Sequence, residues 1–272
     1  GAALAVLYAL DALEDPGLPQ ADRLVLLSPE IGVTAAAAFA VWQARLGYLL
    51  GLDKLAWNDI LPEYEPFKYG SFAVNAGDVS HRLTTEIQRR LDRLEGAGAL
   101  QGMPPMLAFT SAVDATVLPV ALVQNLYNRL PPGGHELVVY DINRVAGIEH
   151  LLTWSPQEMV AALQLEAGQR FTLSFVTNVH PGTRSVHERR WGSREAPPRE
   201  PPLGLEWPAD VYSLSHVALP FPPGDPLYGG RPESPSPGVS LGDIARRGER
   251  GVLAISPAAM LRLRWNPFYD YQ

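Results

Sequence analysis

Four short runs of this chain, RLVLLSP, PPMLAFTSAVD, HELVVYDI and FTLSFVTN, read as strands separated by helical segments. The first is nearly continuous in apolar residues from Arg23 to Leu27 and is bounded by turn formers. Such a run needs cover on both faces, as strands of a parallel sheet have. Helical spacing marks the intervening segments. Ala2 to Leu13 is rich in Ala and Leu, Leu83, Ile87, Leu91 and Leu94 recur at helical intervals, and VLPVALVQNLYNRL follows the second strand. SPQEMVAALQ adds a helix with Ser155 as its N-cap and Pro156 at its first position. Strands alternating with helices in this way indicate an α/β fold, a mainly parallel sheet with helices on both faces.

The rest of the chain is less regular. IGVTAAAAFAVWQARLGYLLGL reads as an apolar helix, and residues 52–82 are aromatic and rich in loop formers without sustained periodicity. GAGALQG follows a helix rather than a strand, so it fits a helix stop better than a dinucleotide-binding turn. Residues 181–208 are rich in Pro, Arg and Glu with no apolar period, which predicts a long loop. VYSLSHV reads as a fifth strand, and ALPFPPGDPLYGG after it as a rigid, proline-dominated turn.

Composition narrows the chemistry. The 272 residues carry a net charge of −7 with both signs interspersed, which argues against a nucleic-acid surface and an anionic-membrane binder. There is no cysteine, hence no disulfide, thiolate metal site or thiol nucleophile, and its absence assigns no compartment. The most apolar window, Thr34 to Leu50, contains Gln43 and Arg45 and is too short and polar to span a bilayer. No phosphate-binding loop or metal-ligand motif is present, so no cofactor and no metal are expected.

Three residues stand out as candidates. Asp114 falls just past the second strand, where ligand-binding and catalytic groups collect in open α/β sheets. A carboxylate there could orient an imidazole, or it could cap the following turn. His216 ends the fifth strand ahead of the stiff proline segment, and His150 in GIEHLLTW, beyond HELVVYDI, is its rival on spacing alone. His81 sits beside Ser80, while His135, His180 and His187 read as loop residues.

Together, SPEIGVT, PFKYGSFAVNAG, SAVDATV, GHELVVYDINR and SLSHVALPFPPGDPLYG resemble a bacterial group of α/β-hydrolases of the esterase or lysophospholipase type. In that fold the nucleophile sits in a G-x-S-x-G elbow, and the triad runs in the order Ser, acid, His. The resemblance implies that Asp114 is the acid. It selects His216, which precedes the DPLYG stretch, over His150 as the base. Gly1 followed by its helix resembles the last glycine of the elbow, which would put the serine upstream of this sequence together with the preceding strands. The implied organisation is a core start at residues 1–30, a cap or lid at 31–100, and the remaining core at 101–272. The implied substrate is a small apolar carboxylic ester, with Trp42, Tyr48, Trp57, Tyr64, Phe67, Tyr69 and Phe72 in the cap either meeting it or packing the cap. Without its serine the chain is expected to be inactive and to self-associate through an exposed sheet edge. Two other readings are a non-catalytic binding or interaction domain, and a hydrolase using an internal serine such as Ser28, Ser80 or Ser111.

Overall fold

The computed structural model describes residues 1–31, 49–51, 56–60, 70–114, 117–146, 155–166, 170–192, 197–209, 211–214, 216, 218–232, 234, 241 and 262–272. Helix α1 (Ala2–Glu14) forms where Ala and Leu favour helix, and it buries Ala3, Val6, Ala9, Leu10 and Ala12 along one stripe. It stops at Asp15, whose carboxylate accepts the Gly17 amide at 2.8 Å and turns the chain into strand β1 (Leu24–Leu27). A short antiparallel pair, β2 (Trp57–Asp59) and β3 (Phe72–Ala73), lies in the stretch whose sequence shows no period.

Helix α2 (Val74–Gly96) starts well before the expected position near Arg82 and buries Thr84, Ile87, Leu91 and Leu94. It ends as GAGALQG suggests, with Gly98 left-handed at φ 67°, a conformation that costs glycine nothing. Strand β4 (Met106–Ser111), helix α3 (Pro119–Asn125), strand β5 (His135–Tyr140), helix α4 (Pro156–Glu166) and strand β6 (Phe171–Asn178) follow. Ser155 caps α4, its hydroxyl accepting the Glu158 amide at 3.2 Å.

The six-stranded sheet has the order β1-β4-β5-β6-β7-β8, where β7 is Ser185–Trp191 and β8 is Pro202–Glu206. Strands β1, β4, β5 and β6 run parallel; β7 and β8 are antiparallel additions. The chain therefore has an α/β fold with a mostly parallel sheet. The expected long loop at 181–208 is instead largely this hairpin. Most of β7 alternates between polar residues, and the polar–apolar alternation of β8 is limited to Leu203 and Leu205, so a search for apolar period misses the hairpin. Glu188 and Arg190 on one face of β7 join Glu136 of β5, while His187, Arg189 and Trp191 point to the other.

The two faces are covered differently. One packs Leu24, Leu26, Met106, Ala108, Leu137, Val139, Leu173 and Phe175 against all four described α-helices. The other packs Phe109, Val138, Tyr140, Val176 and Val186 against Trp207, Val211, Leu214, Leu219, Trp265 and Phe268, which belong to irregular chain. Helices on both faces were expected; among the described residues they lie on one. The fifth strand is also smaller than VYSLSHV suggests. Only β9 (Ser213–Leu214) forms, and it pairs with β10 (Arg262–Leu263) outside the main sheet.

Strand β1 is an edge, and its Val25 is 65% exposed. The Leu24 and Ser28 amides donate towards β4, to Pro105 and Phe109 at 2.9 and 2.8 Å, so the backbone groups of Val25 and Leu27 face outward. Of the expected cap at 31–100, residues 32–48, 52–55 and 61–69 lie outside the described residues, and with them most of its expected first helix and the aromatic residues Trp42, Tyr48, Tyr64, Phe67 and Tyr69. No described helix is long and apolar enough to cross a membrane. Leu137, fully buried on the central strand β5, should lose about 2–5 kcal/mol when changed to Ala. Val25→Ala, at the exposed edge, should change stability by less than about 0.5 kcal/mol. Urea unfolding of the two variants checks this, and equal losses would contradict the edge assignment.

Candidate active site

Strand β4 ends at Ser111, and a tight turn carries the chain to Asp114, whose amide donates to Ser111 O at 3.0 Å. The Asp114 side chain is fully buried, and its Oδ1 accepts the Val117 amide at 2.9 Å. The turn-capping alternative is therefore what the hydrogen bond shows. Oδ1 caps the turn that follows, and the same oxygen stands 3.6 Å from Nδ1 of His216. That separation suits an ion pair and is longer than a formed hydrogen bond, as pairs in unliganded sites often are. The His216 side chain is 31% exposed, so the imidazole is open to solvent on one side while its carboxylate partner is sealed.

The histidine gets there because the chain around it is tied at several points. Ser111 Oγ donates to Leu214 O at 2.9 Å, Asn143 Nδ2 to Val211 O at 2.7 Å, and the Asn143 amide to Tyr212 O at 2.6 Å. These bonds lay residues 211–214 across the carboxyl ends of β4 and β5. On the far side, fully buried Asn266 donates through its amide to Phe221 O at 2.7 Å and accepts the Phe268 amide at 2.9 Å. Gln272 Nε2 donates to Leu219 O at 3.2 Å. The stiff segment after His216 has its own lock. Asp225 Oδ1 accepts the amides of Leu227 and Tyr228 at 2.9 and 2.8 Å, and a Cβ on Gly229 would overlap the backbone of Pro223 and Asp225.

The other histidines go elsewhere. His150 lies outside the described residues. His135 opens β5 at the amino end of the sheet and is buried, which pushes its imidazole below the usual value and keeps it neutral. His187 belongs to β7, not to a loop. His81 lies in α2, where its carbonyl accepts the Thr84 hydroxyl at 3.1 Å. Among the described residues no group of three or more metal-ligating side chains could hold a metal ion.

The internal serines are accounted for as well. Ser111 spends its hydroxyl on Leu214 O, and Ser80 hydrogen-bonds the Glu30 carboxyl. Ser28 has a left-handed backbone, φ 43°, and a buried hydroxyl, which is the strain a nucleophile turn would show. The next residue is Pro29, however, which has no amide to donate to an oxyanion.

Glu30 is a member of this neighbourhood that the sequence did not announce. Half-buried, its carboxyl is raised above the usual range by desolvation; Asp114 adds to the rise, whereas Ser80 and the amino group of Gly1 oppose it. The start of α1 is thus at the same end of the sheet as Asp114. Only the α1–β1 connection, read as an antiparallel return, could have hinted at this. Comparison with protein-family models, with curated proteins and with solved structures finds no match to this chain.

Two outcomes follow. Asn266→Ala should lower stability by about 1–3 kcal/mol, because the Phe268 amide and the Leu219 carbonyl lose their bonds to its side chain, and should speed amide exchange in 218–221 before the rest of the sheet. Unchanged exchange there would contradict its role as an anchor. A carboxyl whose folded-state pKa is raised stabilises the fold below its unfolded pKa, and this contribution is lost as pH rises through the folded value. Glu30→Gln should therefore be more stable than the parent at pH 7, with the advantage shrinking towards pH 4, as urea titrations at the two pH values would read.

Proposed function

We propose that Asp114 and His216 are the acid and base of a serine hydrolase of the α/β-hydrolase type acting on carboxylic esters. In this reading the nucleophile is carried by chain outside this sequence, on a strand that pairs with the outer edge of β1. The observation that carries it is the approach of a buried carboxylate to an accessible imidazole Nδ1 at 3.6 Å, at the carboxyl ends of parallel strands and in the order acid then base. Support comes from the edge itself. The backbone of Val25 and Leu27 faces outward, and exposed Val25 on one side and Leu4 and Tyr8 of α1 on the other would flank an added strand. The proximity of the α1 start to Glu30 and Asp114 fits a nucleophile entering there.

His216 would take the serine proton through Nε2 and return it to the leaving alcohol. Asp114 would hold Nδ1 in the protonated tautomer and stabilise the imidazolium as it forms. Apolar esters are the substrate class this reading carries. A second reading, a non-catalytic binding domain, is favoured by one observation: a cavity of about 970 Å³ lined by neither Asp114 nor His216.

Fluorophosphonate labelling separates the two. The chain extended upstream through an elbow serine should label, and His216→Ala and Asp114→Ala should abolish or slow labelling while His150→Ala leaves it intact. Labelling of the sequence as it stands would overturn the external-serine reading, and an extended form that never labels would favour the binding domain. Purified without the extension, the chain should self-associate through β1, and Val25→Lys should shift it towards monomer in light scattering. A monomeric parent would count against an unpaired edge.

A further inference from the structure

The hairpin that replaces the expected loop builds a second site. The β6–β7 register sets Leu173 beside Trp191, Phe175 beside Arg189 and Thr177 beside His187, all on the helical face of the sheet. Phe175, Thr177, His187, Arg189 and Trp191, together with α4, line a cavity of about 970 Å³. Phe175 meets Trp191 edge to face at 5.8 Å and forms an apolar floor, with Val160 and Ala161 of α4 contributing to the lining.

The polar groups around this floor divide into spent and unspent. Buried Asp141 is spent: it accepts Arg144 Nη2 and Thr177 Oγ1, each at 2.8 Å, and the Ile142 amide at 2.8 Å. Asn178 is spent as well, between the Arg144 amide, Asn143 and Thr183. Arg189 is different. Its Nε donates to Glu200 at 2.8 Å and its guanidinium lies over Trp191, Cζ 5.1 Å from the ring centroid. Two contacts thus fix the plane of the guanidinium, while the Nη1–Nη2 edge has no partner among the described residues. His187, two residues away on the same face, is pushed below its usual pKa by burial and is neutral at pH 7, so it can donate from one ring nitrogen.

We propose that this cavity binds an amphiphilic monocarboxylate, the carboxylate on the Nη1–Nη2 edge of Arg189 and the hydrocarbon part along Val160, Ala161 and Phe175. A planar carboxylate matches one guanidinium edge with two parallel bonds. Asp141 is taken up by Arg144, which leaves the Nη1–Nη2 edge of Arg189 to meet the ligand: one edge suits a singly charged carboxylate, and no second such edge is offered among the described residues for a phosphate dianion. The volume lies within the range of about 300–1,000 Å³ usual for small-molecule sites. This site rests on the geometry of β6, β7 and α4 and is independent of the Asp114–His216 reading.

The test is an NMR titration of the full chain with octanoate, followed by octan-1-ol and by inorganic phosphate. Octanoate should give saturable shifts at amides within 157–161 and 187–191, octan-1-ol should bind about tenfold more weakly or worse, and phosphate should move none of them. Arg189→Gln should weaken octanoate by about tenfold or more, and Ala161→Phe, which fills the cavity and leaves the charges alone, should also block it. His216→Ala should bind octanoate like the parent. The proposal fails if octanoate does not saturate, if its shifts gather around residues 114 and 216, if Arg189→Gln binds as well as the parent, or if phosphate binds at the same amides.

Discussion

Residues 211–214 cross the carboxyl ends of β4 and β5 with only two residues in regular structure, so their carbonyls must find partners from outside the segment. Ser111 Oγ, Asn143 Nδ2 and the Asn143 amide supply them at 2.9, 2.7 and 2.6 Å. A buried hydrogen bond contributes about 0.5–1.5 kcal/mol net, whereas stranding one of its partners costs about 1–3 kcal/mol. The segment is thus held mainly by the cost of leaving. Asp114 lies shortly after Ser111 and His216 shortly after Leu214, so the spacing of the pair is inherited from the Ser111–Leu214 contact.

The same economy of partners explains how one face of the sheet stays dry without a helix. Phe268 stacks on Tyr140 at 5.6 Å and meets Trp207 edge on at 4.9 Å, and Phe109 extends the stack. Large rings cover much area per residue, so irregular chain suffices where aliphatic side chains would need a continuous helical stripe. The polar ends are satisfied in turn. The Tyr140 hydroxyl and Asn266 Nδ2 both donate to Gln272 Oε1, at 3.1 and 3.0 Å. Beside this layer, Arg190 pairs with Glu136 and Glu188, which is how a strand as charged as β7 joins a sheet.

Much of the parallel core was legible because its signals are local. Apolar runs marked β1, β4, β5 and β6, periodic leucines marked the buried stripe of α2, and Ser155 announced the start of α4. The hairpin was not legible, because Arg190, at the centre of its charged pattern, is satisfied by Glu136 about fifty positions earlier in the chain, and nothing near β7 reports that. VYSLSHV looked like a full strand because its composition suits one, yet the carbonyls of Val211, Tyr212 and Leu214 go to Asn143 and Ser111 instead of the main sheet. At the site, Asp114 and His216 could be picked out by position and resemblance, and the structure brings them together. Asn143, Asn266 and Glu30 could not, since each matters through a partner remote in sequence.

Those separations have a kinetic side. The Ser111–Leu214 bond joins residues 103 apart, and the Tyr140–Gln272 bond joins residues 132 apart. Closing such loops costs chain entropy before any contact rewards it, whereas β4, β5 and β6 pair between neighbours in the chain. The sheet and its helical layer can therefore condense first, with the return segment and residues 262–272 docking afterwards as one late step. Unfolding runs in reverse. The aromatic cover is expected to open before the parallel strands separate, so that His216 would part from Asp114 while the strand pairing is still in place.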